Sequence, residues 1–123
     1  MKVLILVALL LMPIAASAQA APVKIPFTRG IFTWGHVIAA GSGTPSEFRV
    51  KCGVATGAYT ITKVFLGADV RRVALNQVIP APGTYFCAVS AANAFGESPM
   101  SAEVNFEAGQ IPGAITDLTI GAQ

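Results

Sequence analysis

One histidine, two cysteines and six carboxylates are all this chain offers for acid–base, metal or thiol chemistry. A general acid–base site needs paired groups with displaced pKa values in a shared cleft. Here Glu47, Asp69, Glu97, Glu103, Glu107 and Asp117 are spread over expected loops and outward strand positions, and Glu103 and Glu107 read as solvated. His36 follows Trp34 into a glycine-rich stretch, where it reads as a loop or surface histidine. No Gly-x-Ser-x-Gly elbow supports a serine nucleophile. Cys52, Cys87 and the lone His36 fall short of a zinc ligand set, and no Cys-x-x-Cys spacing marks a redox dithiol. Phosphate loops, dinucleotide fingerprints and calcium loops are absent. The expectation is therefore no catalytic residue, no metal and no cofactor. The two thiols are left either as a bridge or as two buried free cysteines.

Export is written at the N-terminus. Lys2 precedes an apolar run from Val3 to Met12, Pro13 interrupts it, and the small residues Ala15-Ala16-Ser17-Ala18-Gln19-Ala20 follow. That order is the one found in secretory signal peptides. Residues 1–20 are expected to be a signal peptide cleaved near Ala18 or Ala20, leaving a secreted, periplasmic or cell-surface protein. A membrane span needs about 20 apolar residues, so no stable span is expected. Without Lys2, the eight basic residues fall to seven against six acidic ones. A near-neutral chain lacks the concentrated basic field that nucleic acid requires. The chain carries neither an Asn-x-Ser/Thr sequon nor an Arg-Gly-Asp sequence.

The elements that must position these residues read as strands. Phe48, Val50 and Cys52 alternate with Arg49 and Lys51, and Tyr85, Cys87, Val89 and Ala91 alternate likewise. A period of two marks a strand with one buried face. Further runs lie at 30–34, 59–65, 73–75 and 104–106. Glycine and proline punctuate them, at Gly41-Ser42-Gly43-Thr44-Pro45, at Gly53 and Gly57, at Pro80-Ala81-Pro82-Gly83 and at Gly96-Glu97-Ser98-Pro99. Short strands at this spacing argue an all-β sandwich or barrel. Pro26 suits only an edge or interrupted strand. Arg71-Arg72 reads as a solvated strand edge.

Trp34 on an early strand, Phe48-Arg49-Val50-Lys51-Cys52-Gly53, the Leu75 and Val78 pair, Gly83-Thr84-Tyr85 and Ala88-Val89-Ser90-Ala91-Ala92-Asn93, with the Gly96-Glu97-Ser98 and Ser101-Ala102-Glu103-Val104 that follow, together resemble a fibronectin type III domain of the bacterial secreted kind. The likeness covers residues 23–106, and its weight lies in the order and spacing of these pieces. It implies an antiparallel immunoglobulin-like β-sandwich of about seven strands over residues 21–107. Strands A, B and E would form one sheet and C′, C, F and G the other. Trp34 and Tyr85 would be structural core residues, with the Tyr85 hydroxyl tied to nearby backbone. Leu75 and Val78 would close strand E and begin the crossing to strand F. In this layout Cys52, late in C, and Cys87, early in F, would lie opposite each other, and a disulfide is the expected outcome after export.

The same likeness implies function through surface. The loops at 37–46 and 93–100 would meet at one end of the sandwich, making His36, Phe95, Pro99 and Met100 candidate binding residues. A second candidate is the outer face carrying Arg49, Lys51, Phe86 and Glu103. The expected role is a non-enzymatic binding or adhesion module for a protein or glycan at the cell surface. Residues 108–123 form a tail: a linker to Gly113, then Ala114-Ile115-Thr116-Asp117-Leu118-Thr119-Ile120, which alternates like an opening strand. The alternative role is a structural subunit forming homo-oligomers through residues 114–120.

Overall fold

Alternation along residues 47–53 gives the fold its centre. In the computed structural model, which describes residues 21–123, strand β3 (Glu47–Gly53) buries Phe48, Val50 and Cys52 and leaves Glu47, Arg49 and Lys51 on the other face. The signal-peptide reading and its cleavage positions lie outside the described residues. The other strands are β1 (Val23–Pro26), β2 (Ile31–Thr33), β4 (Ile61–Leu66), β5 (Arg72–Ala74), β6 (Gly83–Asn93), β7 (Gly96–Glu97) and β8 (Val104–Gly109). They form an all-β sandwich of two sheets. The larger runs β1-β8-β6-β3-β4, with β7 pairing β6, and the smaller is β2-β5.

Strand β6 pairs antiparallel with β3 from Glu47↔Ala92 to Gly53↔Phe86, which sets Cys52 opposite Cys87. The two are joined by a disulfide with a Cα–Cα distance of 4.1 Å. Val50, Val78 and Ile79 are almost wholly buried in one cluster with it, and Phe48 is buried farther along β3 against Trp34, His36 and Arg71. Each such side chain contributes roughly 1.5–3 kcal/mol by leaving water. Leu75 and Val78 frame a 3-10 turn, Leu75–Gln77, closed by the Val78 and Ile79 N–H groups on the Leu75 carbonyl. The Tyr85 ring stacks on Phe106 at 5.9 Å, and its hydroxyl donates to the Ala81 carbonyl at 2.8 Å. Trp34 is half-buried and tilts against Phe48, 5.6 Å away. Gly53 is required where it stands, because a Cβ there would meet the Ala58 carbonyl oxygen at 1.9 Å.

The first strand departs from the fibronectin layout. Instead of joining β2 and β5, β1 pairs in parallel with β8, from Val23↔Phe106 to Pro26↔Gly109. Proline position explains how this pairing is tolerated. The Phe27 N–H donates to the Gly109 carbonyl at 2.7 Å. In a parallel pair alternate residues face the neighbour, so the Pro26 nitrogen, which has no proton, faces the open side. Among the described residues, one edge of β2 is consequently bare. Strand β8 runs through Gly109, two residues past the boundary expected at 107. Residues 110–123 form no strand and are exposed throughout. Asp117 has φ 57°, so the tail is bent in its middle.

Candidate functional site

Turn chemistry builds the loop pole. Between β6 and β7, Asn93 accepts the Phe95 N–H on its side-chain oxygen at 2.9 Å. Such an Asx arrangement is what asparagine favours in turns. Gly96 then takes φ 151°, open to glycine alone among ordinary residues. The result is a two-residue tip, Ala94 and Phe95, on which Phe95 is 98% exposed. The Asn93 amide also donates to the Thr44 carbonyl at 3.1 Å, and the Ser46 N–H donates to the Ala92 carbonyl at 2.8 Å. These bonds fasten the 37–46 loop to the hairpin.

The return from the tip is held by two serines. Ser98 and Ser101 donate their N–H groups to the Ala91 and Val89 carbonyls at 2.7 and 2.8 Å. Their hydroxyls accept the N–H groups of the same residues, both at 2.9 Å. Residues 98–101 thereby replace a strand partner that β6 lacks between β7 and β8. Arg71 steadies the opposite wall. Its guanidinium lies 5.0 Å from the Phe48 ring centroid and donates to the Ala68, Val70 and His36 carbonyls. The expectation of a solvated Arg71 is thus corrected: the cation has an aromatic face beneath it and three acceptors around it.

The pole encloses a cleft of about 490 Å³ lined by His36, Ser42, Pro45, Asn93, Phe95 and Ser98, among others. Of the expected binding residues, the structure brings His36 and Phe95 together here. Pro99 lines a neighbouring hollow with Trp34 and His36, and Met100 is half-buried and lines neither. The His36 ring packs edge-on against Phe48 at 5.6 Å, with Nδ1 buried and unpartnered. Val37 and Ile38 are exposed beside it.

The outer sheet face is occupied by its own charges. Glu97 takes Lys51 at 2.8 Å, Arg49 at 3.1 Å and the Ser90 hydroxyl, while Arg49 also holds Glu47 at 2.6 Å. The Lys51 hydrogen bond first, then Ser90, brings the Glu97 carboxyl down to about 2. Glu103 is likewise bound, correcting its reading as solvated. It accepts from the Thr56 hydroxyl, the Gly57 N–H at 2.9 Å and the Tyr59 hydroxyl at 2.6 Å, and these bonds lower its pKa. Tyr59 is raised in turn, chiefly by the same bond. Both carboxyls are displaced away from neutrality, the wrong direction for a general acid. Among the described residues, no group of three or more His, Cys, Asp or Glu is placed to hold a metal. Nor is any described helix long and apolar enough to cross a membrane.

Sequence reasoning missed Ser98, Ser101 and Arg71, and it placed Glu103 on a candidate outer face without its bonds to Thr56, Gly57 and Tyr59. The three-residue serine spacing gains meaning only against the β6 register, and Arg71 and Glu103 reach partners 35 to 47 residues away. No family model, curated protein or solved structure matches this chain.

Proposed function

We propose that this chain is an exported, non-enzymatic binding module of the fibronectin type III kind, which meets a protein or glycan at the cell surface through its loop pole. The observation that carries this reading is Phe95, held almost fully in water on a hairpin tip that is itself hydrogen-bonded in place. A rigid exposed aromatic loses little entropy on binding and brings a large apolar area to an interface. Val37 and Ile38 are further exposed apolar residues on the 37–46 loop fastened to that hairpin, and Asn93, Ser42 and Ser98 line the cleft with polar groups. The signal-like residues 1–20 and the disulfide support export. The strand order β4-β3-β6-β8 in one sheet, with β2 and β5 in the other, agrees with the proposed family. The pairing of β1 is a departure from it.

The test compares wild type with Phe95→Ser on arrays of glycans and purified surface proteins. Binding that falls by roughly tenfold or more in the variant, with an unchanged melting temperature, supports the loop pole. Equal binding by both proteins assigns the interface to another surface.

A further inference from the structure

The molecule carries an unfilled strand position and an unpaired segment of strand-like sequence. We propose that residues 114–120 of one copy add as a strand to the bare β2 edge of a second copy, seating Leu118 and Ile120 over the apolar cleft between β2 and β8. This inference does not depend on the loop-pole reading.

The acceptor follows from register. Trp34 N–H bonds to the Arg71 carbonyl and Leu75 N–H to the Gly30 carbonyl. Phe32, Trp34 and the Gly30 carbonyl therefore face β5, the Gly30 N–H going to the Pro26 carbonyl, and Ile31 and Thr33 turn their backbone groups away. No strand pairs with that side among the described residues. An open edge is a template for another chain, and proteins usually blunt one with charge or proline. Among the described residues, four of the five strands with a free edge are blunted: β1 by Pro26, β4 by the exposed Lys63, β5 by Arg72 and β7 by Glu97. Around β2 the sequence is Gly30-Ile31-Phe32-Thr33-Trp34-Gly35, with neither device. Beside it lies a cleft of about 230 Å³ walled by Phe32, Trp34, Val50, Val89, Ala102 and Val104. This is the place left bare by a first strand that paired with β8.

The donor follows from burial and patterning. Ile115, Leu118 and Ile120 are 88%, 92% and 100% exposed. By period two, Ala114, Thr116, Leu118 and Ile120 share one face, and Ile115, Asp117 and Thr119 share the other. The first set fits the apolar cleft. The second leaves Asp117 in water and sets Ile115 on the face of β2 that carries the half-exposed Ile31. Docking straightens the bend at Asp117. A second copy is the occupant because each molecule holds both parts and its own tail projects into solvent. Main-chain bonds supply affinity in such strand addition, and alternate side chains supply specificity. Tail-to-edge contact is head-to-tail, so it builds open chains of molecules unless the rotation closes a ring.

Two full-length variants separate the halves. Leu118→Asp/Ile120→Asp spoils the donor with substitutions at positions already in water. Thr33→Pro removes an N–H from the free edge and leaves the bonds to β5 in place. Light scattering across a dilution series should show wild-type mass rising with concentration. The aspartate variant alone should self-associate roughly a hundredfold more weakly, as burial of two such side chains implies. Thr33→Pro alone should also weaken association, by roughly tenfold or more, through the lost ladder bond. Mixed together, Thr33→Pro supplies a sound tail and the aspartate variant a sound edge, so the mixture should form a dimer that grows no further. This complementation distinguishes lost docking from lost folding. A wild-type protein monomeric at every concentration overturns the proposal. So does a monomer whose tail amides resist hydrogen exchange, since the tail then fills its own molecule's edge. Association lost in the aspartate variant but kept in Thr33→Pro also overturns it, because the tail then docks elsewhere.

Discussion

The β3–β6 ribbon and the β2–β5 pair face each other across one core, yet they are held by different means. The ribbon has a long ladder, a disulfide across it, Phe48 beneath and the Glu97 ion cluster above. The pair has three register positions and reaches the core through the buried Val73, with half-buried Phe32 meeting Phe106 at 5.7 Å and Trp34 tilting against Phe48. One sheet is secured on both faces; the other is attached through its inward side chains alone. A sandwich can therefore keep a short, bare-edged sheet, provided its partner sheet carries most of the stability.

The widest difference should appear at Phe48. Phe48→Ala empties a buried site and strips Arg71 and His36 of their ring, so urea unfolding should show a loss of about 3–5 kcal/mol. Phe32→Ala, from a half-buried position, should cost about 2 kcal/mol. Equal losses would break the comparison. Replacing both cysteines by alanine frees a loop of 35 residues, worth about 4 kcal/mol in the chain-entropy account. Hydrogen exchange should then show β3 and β6 losing protection together. At the opposite end from the loop pole, Tyr85→Phe removes the bond to Ala81 and should cost about 1 kcal/mol in the same urea assay.

The smallest effect should be seen on acidification. The Glu97 carboxyl falls from 4.5 to about 2 on folding. As pH drops, the unfolded chain takes up the proton first. The contribution of Glu97 is thus complete above pH 4.5 and is lost as pH falls toward 2. Thermal melts of Glu97→Gln should flatten over that window, and an unaltered slope would remove the ion cluster from the ribbon's account.

Legibility followed the range of the interaction. Period-two alternation at Phe48-Val50-Cys52 and Tyr85-Cys87 is local, and it marked the ribbon, its buried face and the positions of both cysteines. Sheet membership of β1 was not legible, because Val23-Lys24-Ile25-Pro26 alternates equally well on either sheet and the choice rests on a free β8 edge far along the chain. The half-burial of Arg71 and the bonds of Glu103 depend on partners brought in by tertiary register. At the candidate site, Phe95 could be read as a loop aromatic, but its exposure is set by Asn93 and Gly96 acting together. In the tail, alternation was visible while the lack of a ladder was not, since a strand needs a neighbour as well as a pattern.

The parallel pairing of β1 with β8 has a mechanical consequence. The chain enters at the start of one strand and leaves from the end of the other, side by side and pointing the same way. Tension on the two termini therefore pulls the strands past each other along their length. The rungs from Val23 to Pro26 bear that load together instead of unzipping in turn. Behind them, the Cys52–Cys87 bond keeps the 35-residue segment it closes from being drawn out at all. Stretched between two attachments, the molecule would resist first and then lengthen only in part.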